Sequence, residues 1–153
     1  QPSKFAFTYG YVETRFKVPA GPGLWPAVWL KADDGTNPPE IDLMEILGKD
    51  PMTVYTNVHY LQNGKHMQHL VPTSGINFSS GWHTMGVNWQ PNAITWYIDG
   101  VPRVKFTNTA MIPNKAMFVI ADLAIGGKWG GNPTASTPFP STFEVDYIRV
   151  WQK

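Results

Sequence analysis

Glu40-Ile41-Asp42-Leu43-Met44-Glu45 places three carboxylates in one short apolar run. In a regular strand the side chains alternate between faces, so Glu40 and Asp42 share a face while Glu45, five residues on, points away. A β-bulge at Leu43 or Met44 changes that count. One extra residue set against the neighbouring strand shifts the phase by one and turns Glu45 onto the face of the other two acids. The hexapeptide therefore predicts a bulged strand with three carboxyls on one surface. Without the bulge, the same residues describe a solvated face over a core.

Three acids on one face suit cleavage of a glycosidic bond with retention of configuration. One carboxylate attacks the anomeric carbon while a second, kept protonated, donates to the leaving oxygen, and their oxygens stand roughly 5–5.5 Å apart. Glu40 and Glu45 are long enough to lean together across Asp42. Asp42, crowded between them, shares a proton with one partner and holds the titrations apart, because adjacent like charges raise at least one pKa.

The rest of the chain sets the frame. Its 153 residues fit one domain, residues 1–153, with enough length to bury a core. Fourteen Gly, 14 Pro, 7 Trp, 6 Tyr and 8 Phe, with short β-branched and aromatic runs between turn residues, predict an all-β sandwich or barrel. A formal net charge of +1 leaves no broad field for nucleic acid or a strongly anionic polymer, which favours a neutral ligand. The chain contains no cysteine, so disulfides play no part in its stability. No apolar run reaches the roughly 18 residues of a membrane helix. Gln1 opens the chain without an initiator Met or signal-like segment, and is read as a processed or trimmed start.

Working outward from the acids, strands are expected at Tyr9–Val18, Trp25–Leu30, Val54–Leu61, His66–Val71, Trp82–Trp89, Ala93–Ile98, Val101–Phe106, Ala116–Ala124 and Phe143–Trp151. Tyr11, Glu13, Arg15 and Lys17 alternate with Val12, Thr14, Phe16 and Val18. Trp25 and Trp29 fall on one face by period two, and Pro26 between them hints at an edge or a bulge. Tyr55, Asn57, His59 and Leu61 form a face polar enough for sugar contact. Asp99-Gly100 signals a two-residue hairpin. Gly126-Gly127-Lys128-Trp129-Gly130-Gly131 holds one large ring in a mobile loop, the form of a cleft rim.

Trp25, Trp29 and Trp129 are candidates to stack on pyranose rings, while Trp82, Trp89, Trp96 and Trp151 are assigned to the core, where aromatics dominate buried area. His59 is placed to hydrogen-bond the protonated acid or a sugar hydroxyl, and Asn57 joins it as a binding candidate. His66, His69 and His83 lack HExxH spacing and have no CxxC partner, so no catalytic zinc is expected. Phosphate-loop and GxSxG patterns are missing, which removes phosphoryl and acyl transfer.

The hexapeptide, preceded by Gly23-Leu24-Trp25-Pro26-Ala27-Val28-Trp29-Leu30, resembles the bulge-containing branch of glycoside hydrolase family 16, with laminarinase-like endo-β-1,3-glucanases and mixed-linkage β-glucanases nearest. The likeness extends through residues 7–15, Val58-His59-Tyr60, Trp82-His83-Thr84, residues 96–100, Leu123-Ala124-Ile125-Gly126-Gly127 and residues 146–151. It implies a jelly-roll, concanavalin A-like sandwich of two antiparallel sheets whose concave sheet forms a glycan cleft. It assigns Glu40 as nucleophile, Asp42 as its helper and Glu45 as acid/base, and sets Trp25, Trp29 and His59 near the central subsites. No cofactor is required for the reaction. A structural calcium is implied on the convex side, with Asp146 as the matching ligand. Two departures stand out. Asp122 occupies a position where the family often carries Asn, and strands that normally precede Phe7 are absent. A sandwich incomplete at its N-terminal end is expected to expose edges and part of its core, inviting self-association or a complementing fragment.

The function expected is retaining endo-hydrolysis of β-1,3- or mixed β-1,3-1,4-glucans. Its alternatives are an agarase or carrageenase activity, transglycosylation, and a silent glycan-binding module. The size of the polymer and the family analogy imply an extracellular setting, although the chain shows no signal peptide.

Overall fold

The computed structural model describes residues 4–152, so the reading of Gln1 lies outside the described residues. Among the described residues eleven strands follow one another: β1 (Gly10–Lys17), β2 (Leu24–Ala32), β3 (Glu40–Ile46), β4 (Thr53–Gln62), β5 (Lys65–Gln68), β6 (Val71–Ser74), β7 (His83–Gln90), β8 (Ala93–Ile98), β9 (Val101–Phe106), β10 (Met117–Ile125) and β11 (Glu144–Trp151). They form two antiparallel sheets. One runs β11-β1-β7-β8-β9 and the other β10-β2-β3-β4-β5, with β6 also on β4.

The core lies between the sheets because both present alternating apolar residues inward. β1 alternates without a break, with Val12, Thr14 and Phe16 buried. Facing them are Val28 and Leu30 of β2, Ile41, Leu43, Met44 and Ile46 of β3, and Val54 and Val58 of β4. Trp89 and Trp96 are fully buried, as expected. Their indoles do not waste a donor: Trp89 Nε1 donates to Pro113 O at 2.9 Å and Trp96 Nε1 to Asp42 O at 2.8 Å.

Three expectations need correction. Trp82 is 40% and Trp151 47% exposed, so neither belongs to the core. Trp151 lies opposite Tyr11 on the outer face of edge strand β11, and Trp82 precedes β7 with the Arg15 guanidinium 4.7 Å above its ring. Residues His66–Val71 are not one strand. Lys65–Gln68 pairs with the second half of β4, and Val71–Ser74 returns to pair with its first half. Pro26 does not mark an edge, since β2 runs between β10 and β3. The paired residues of β2 and β3 start at Ala27, so Pro26 lies just outside that ladder.

Two turns set register. Asp99-Gly100 has φ of 48° and 77°, and Asn63-Gly64 has 53° and 72°, both positive at each central residue as a twisted two-residue hairpin requires. The second turn closes β4 onto β5 and fixes His59 opposite Gln68 and Leu61 opposite His66.

One side of the sandwich is open. Among the described residues β10 and β11, the terminal strands of their sheets, pair on one side only, apart from a bridge from Phe7 to Met117. Ile125 is opposite the buried Leu24 and Ile148 opposite the buried Thr14, yet they are 56% and 37% exposed. Inner-facing residues of β10 and β11 are therefore exposed.

Candidate active site

Register across three strands builds the site. Val28 pairs with Met44 and Trp29 with Asp42, so Leu43 is the extra residue on β3. On the other side Asp42 faces Asn57 and Glu45 faces Tyr55, the same one-residue excess. Leu43 and Met44 consequently both enter the core, and Glu40, Asp42 and Glu45 share the opposite face. A bulge disrupts the local ladder, and the freed carbonyl of Asp42 is met from the opposite sheet by Trp96. The phase shift predicted from the hexapeptide is the one observed.

The three acids line a cleft of about 520 Å³ together with Trp25, Trp29, Asn57, His59 and Trp129. Every candidate for catalysis or sugar contact thus lies in one place. Asp146 does not. It belongs to β11 in the other sheet, and its Oδ2 takes the Arg15 guanidinium at 2.6 Å. A calcium ion wants six to eight oxygens, and among the described residues no group of three His, Asp or Glu gathers about Asp146. A lone carboxylate already paired with a cation does not fit the ion.

Sequence reasoning missed Gln68, Leu70 and Asp122 as cleft walls, and Tyr55 and Asn37 as supports. From the sequence Asp122 stands out only as a departure from the family pattern. Its Oδ1 accepts the Trp29 indole N–H at 2.8 Å and so fixes that ring. Tyr55 and Trp25 hold Trp129, with ring centroids 4.8 and 5.1 Å away in edge-to-face contacts. The loop carrying Trp129 turns through Gly126, Gly127 and Gly131, with φ of 84°, 92° and 77°, values that side chains resist. It is tied down by Gly126 N to Gly23 O and by Lys49 Nζ to Trp129 O at 3.1 Å, which gives the expected mobile rim several anchors.

Environment separates the two glutamates. Burial, with the nearby Asp42 charge adding to it, pushes the Glu45 carboxyl up to about 8. The Trp25 indole N–H faces this carboxyl without reaching hydrogen-bond geometry and has no other partner. Glu40 is also raised by burial and by Asp42, but is pulled back by Asn37 Nδ2, which donates to its Oε2 at 2.7 Å, and by His59. Asp42, almost fully buried, is raised by burial against the pull of His59. Three acids this close do not all ionise. Glu45 keeps its proton at neutral pH, while Glu40 has the donors that stabilise an anion.

The profile of the Glycosyl hydrolases family 16 matches residues 1–149. The chain is a member of that family. It is 37% identical over 149 residues to the endo-1,3-1,4-beta-glycanase EglC of Rhizobium meliloti, covering 97% of this chain and 31% of that relative. The laminarinase catalytic domain of Thermotoga maritima superposes with a TM-score of 0.86 at 31% identity, over 99% of this chain and 67% of that one. A non-specific endo-beta-1,3(4)-glucanase of the family, co-crystallised with 1,3-beta-D-cellotriosyl-glucose, gives 0.86 at 34% identity, over 97% and 62%. The fold is accordingly the laminarinase jelly roll of two antiparallel sheets. This chain spans about a third of the length of the curated endo-glycanase relatives it matches and about two thirds of the solved laminarinase catalytic domain.

Proposed function

We propose that this chain carries the catalytic centre of a retaining endo-β-glucanase acting on β-1,3- or mixed β-1,3-1,4-glucans. The observation that carries the reading is the bulge at Leu43, which puts Glu40 and Glu45 on one cleft wall in unlike environments. In the first step a Glu40 oxygen bonds to the anomeric carbon while the glycosidic C–O bond breaks and Glu45 gives its proton to the leaving oxygen. In the second, Glu45 takes a proton from water, whose oxygen displaces Glu40 from the sugar. Asp42 shares with Glu40 the proton that the crowded pair cannot lose together. Trp25, Trp29 and Trp129 offer flat apolar surface to pyranose rings, and Asn57 and Gln68 offer amides to their hydroxyls. The glucanase relatives support a neutral glucan, and a net charge of +1 disfavours sulfated galactans.

Sugar release from laminarin, lichenan, agarose and carrageenan tests this. Release from the two glucans is expected. Release from the galactans alone moves the assignment to agarase or carrageenase, binding without release makes the chain a glycan-binding module, and products longer than the substrate show transglycosylation. A polymeric substrate of this size is met outside the cell, so the proposal carries an extracellular setting with it. The exposed inner residues of β10 and β11 support strand pairing there, by a second copy or a complementing segment, and light scattering reads which mass the chain adopts.

A further inference from the structure

β5 brings a second histidine to the site. His59 reaches Asp42 Oδ2 at 3.2 Å and Glu40 Oε1 at 3.4 Å through Nε2, while its Nδ1 lies 2.9 Å from Nε2 of His66. Two ring nitrogens at that distance share one proton, so which ring donates decides what Nε2 of His59 can do. Asn57 bears on the direction. Its Nδ2 lies 2.9 Å from His59 Nε2, and with Nδ2 as the donor of that contact a neutral His59 carries its proton on Nδ1 and gives it to His66. A cationic His59 donates from Nδ1 as well. His66 is therefore the acceptor in both states, and Nε2 takes a proton from the acids only as Asn57 Nδ2 gives up its bond there, keeping its other N–H on Gln68 Oε1.

Resting on the assignment of Glu40 as nucleophile, we propose that His66 is a positioning residue: by accepting the Nδ1 proton of His59 it fixes that tautomer and makes Nε2 basic enough to take the proton shared by Asp42 and Glu40. In that transfer a carboxyl O–H bond breaks, an Nε2–H bond forms, and a carboxylate and an imidazolium remain beside each other. Glu40 is thereby freed as an anion when it must attack. The groups facing His59 are consistent with this: Glu40, Asp42 and, farther off, Glu45 from β3, Asn57 on its own strand, and His66 from β5. Only His66 among them stands in solvent, so it also gives the buried ring a proton route outward. Burial works against the His59 cation and Asp42 works for it, with the balance raised. The logic is that of any histidine whose second nitrogen is held by an acceptor, which sets ring orientation and basicity at the first.

The test is a pH titration of His59 ring nitrogens and the Glu40 carboxyl carbon by NMR in the parent chain, His66→Leu and His66→Gln, beside the pH profile of kcat/KM on laminarin. Leu removes the acceptor, whereas the Gln oxygen can replace it, and an exposed position on β5 tolerates both. The expected result is an Nδ1–H tautomer for neutral His59 in the parent. In His66→Leu its midpoint falls by about one pH unit, the Glu40 midpoint rises, and the acid limb of kcat/KM moves up with it, all largely restored in His66→Gln. An Nε2–H tautomer in the parent overturns the inference. So does a His59 midpoint unmoved by Leu, a Glu40 midpoint that stays while His59 falls, or a shift in Gln as large as in Leu. If no glucan is cleaved, the proposed function fails, while the two NMR midpoints still decide the role of His66.

Discussion

A bulge at the centre of one sheet and a bulge at the edge of the other each add one residue to a strand, with opposite consequences. In β3 the extra residue is Leu43, flanked by β2 and β4 and roofed by the other sheet. In β11 it is Asp146, since Arg15 pairs with Tyr147 and Phe16 with Val145. At the sheet centre the phase shift has nowhere to relax. It drives Leu43 and Met44 together into the core, leaves Asp42 O to be met by Trp96, and presses three carboxyls into a half-buried cleft where their protons must be shared. At the edge the same irregularity turns a carboxylate out into water, where Arg15 meets it. A bulge becomes chemistry through the burial around it, not through its own geometry.

That contrast can be broken at either bulge. The largest effect is expected from Glu40→Gln, which removes the attacking oxygen and should lower turnover of laminarin at least about a thousandfold with circular dichroism unchanged. Trp96→Phe removes the donor that the central bulge requires, leaving Asp42 O buried and unpaired at about 1–3 kcal/mol by urea unfolding. Trp89→Phe, which frees Pro113 O instead, should cost a similar amount but leave kcat in place. Glu45→Gln sharpens the electrostatic side. The folded chain holds the Glu45 proton up to about 8, whereas an unfolded one releases it near 4.3. Stability from this group is therefore full below about 4.3 and declines as pH rises toward 8. The melting temperature of Glu45→Gln should gain on the parent over that window, and the parent's kcat/KM should fall on an alkaline limb near 8. The smallest effect belongs to the edge. Asp146→Asn loses one half-exposed ion pair and should change stability by less than about 1 kcal/mol.

Much of this was legible because the signals were local. Strand alternation gave the faces of β1, β2 and β4, and the spacing of Glu40, Asp42 and Glu45 allowed no common face without a bulge. What escaped depends on neighbours distant in sequence. Trp151 shares parity with Arg149 and Tyr147, a pattern that marks an outer face, but only the sheet order shows that β11 is an edge. Trp82 lies just outside its strand, where alternation no longer applies. His66 was within reach. Asn63-Gly64 is a hairpin signal as clear as Asp99-Gly100, and counting back from it places His66 and Gln68 beside His59. Trp96 as the partner of the bulge was not within reach, because the two are 54 residues apart and on different sheets. The outward turn of Asp146 likewise came from an edge register that alternation alone does not fix.

The account turns on Glu40 and Glu45 serving one sugar from one wall. Trapping the chain with a 2-deoxy-2-fluoro-β-laminaribiosyl fluoride and mapping the adduct by peptide mass spectrometry tests this directly. A fluoroglycosyl ester on Glu40 is the predicted result. An ester on another residue, or continued hydrolysis to α-configured product with no adduct, would contradict it.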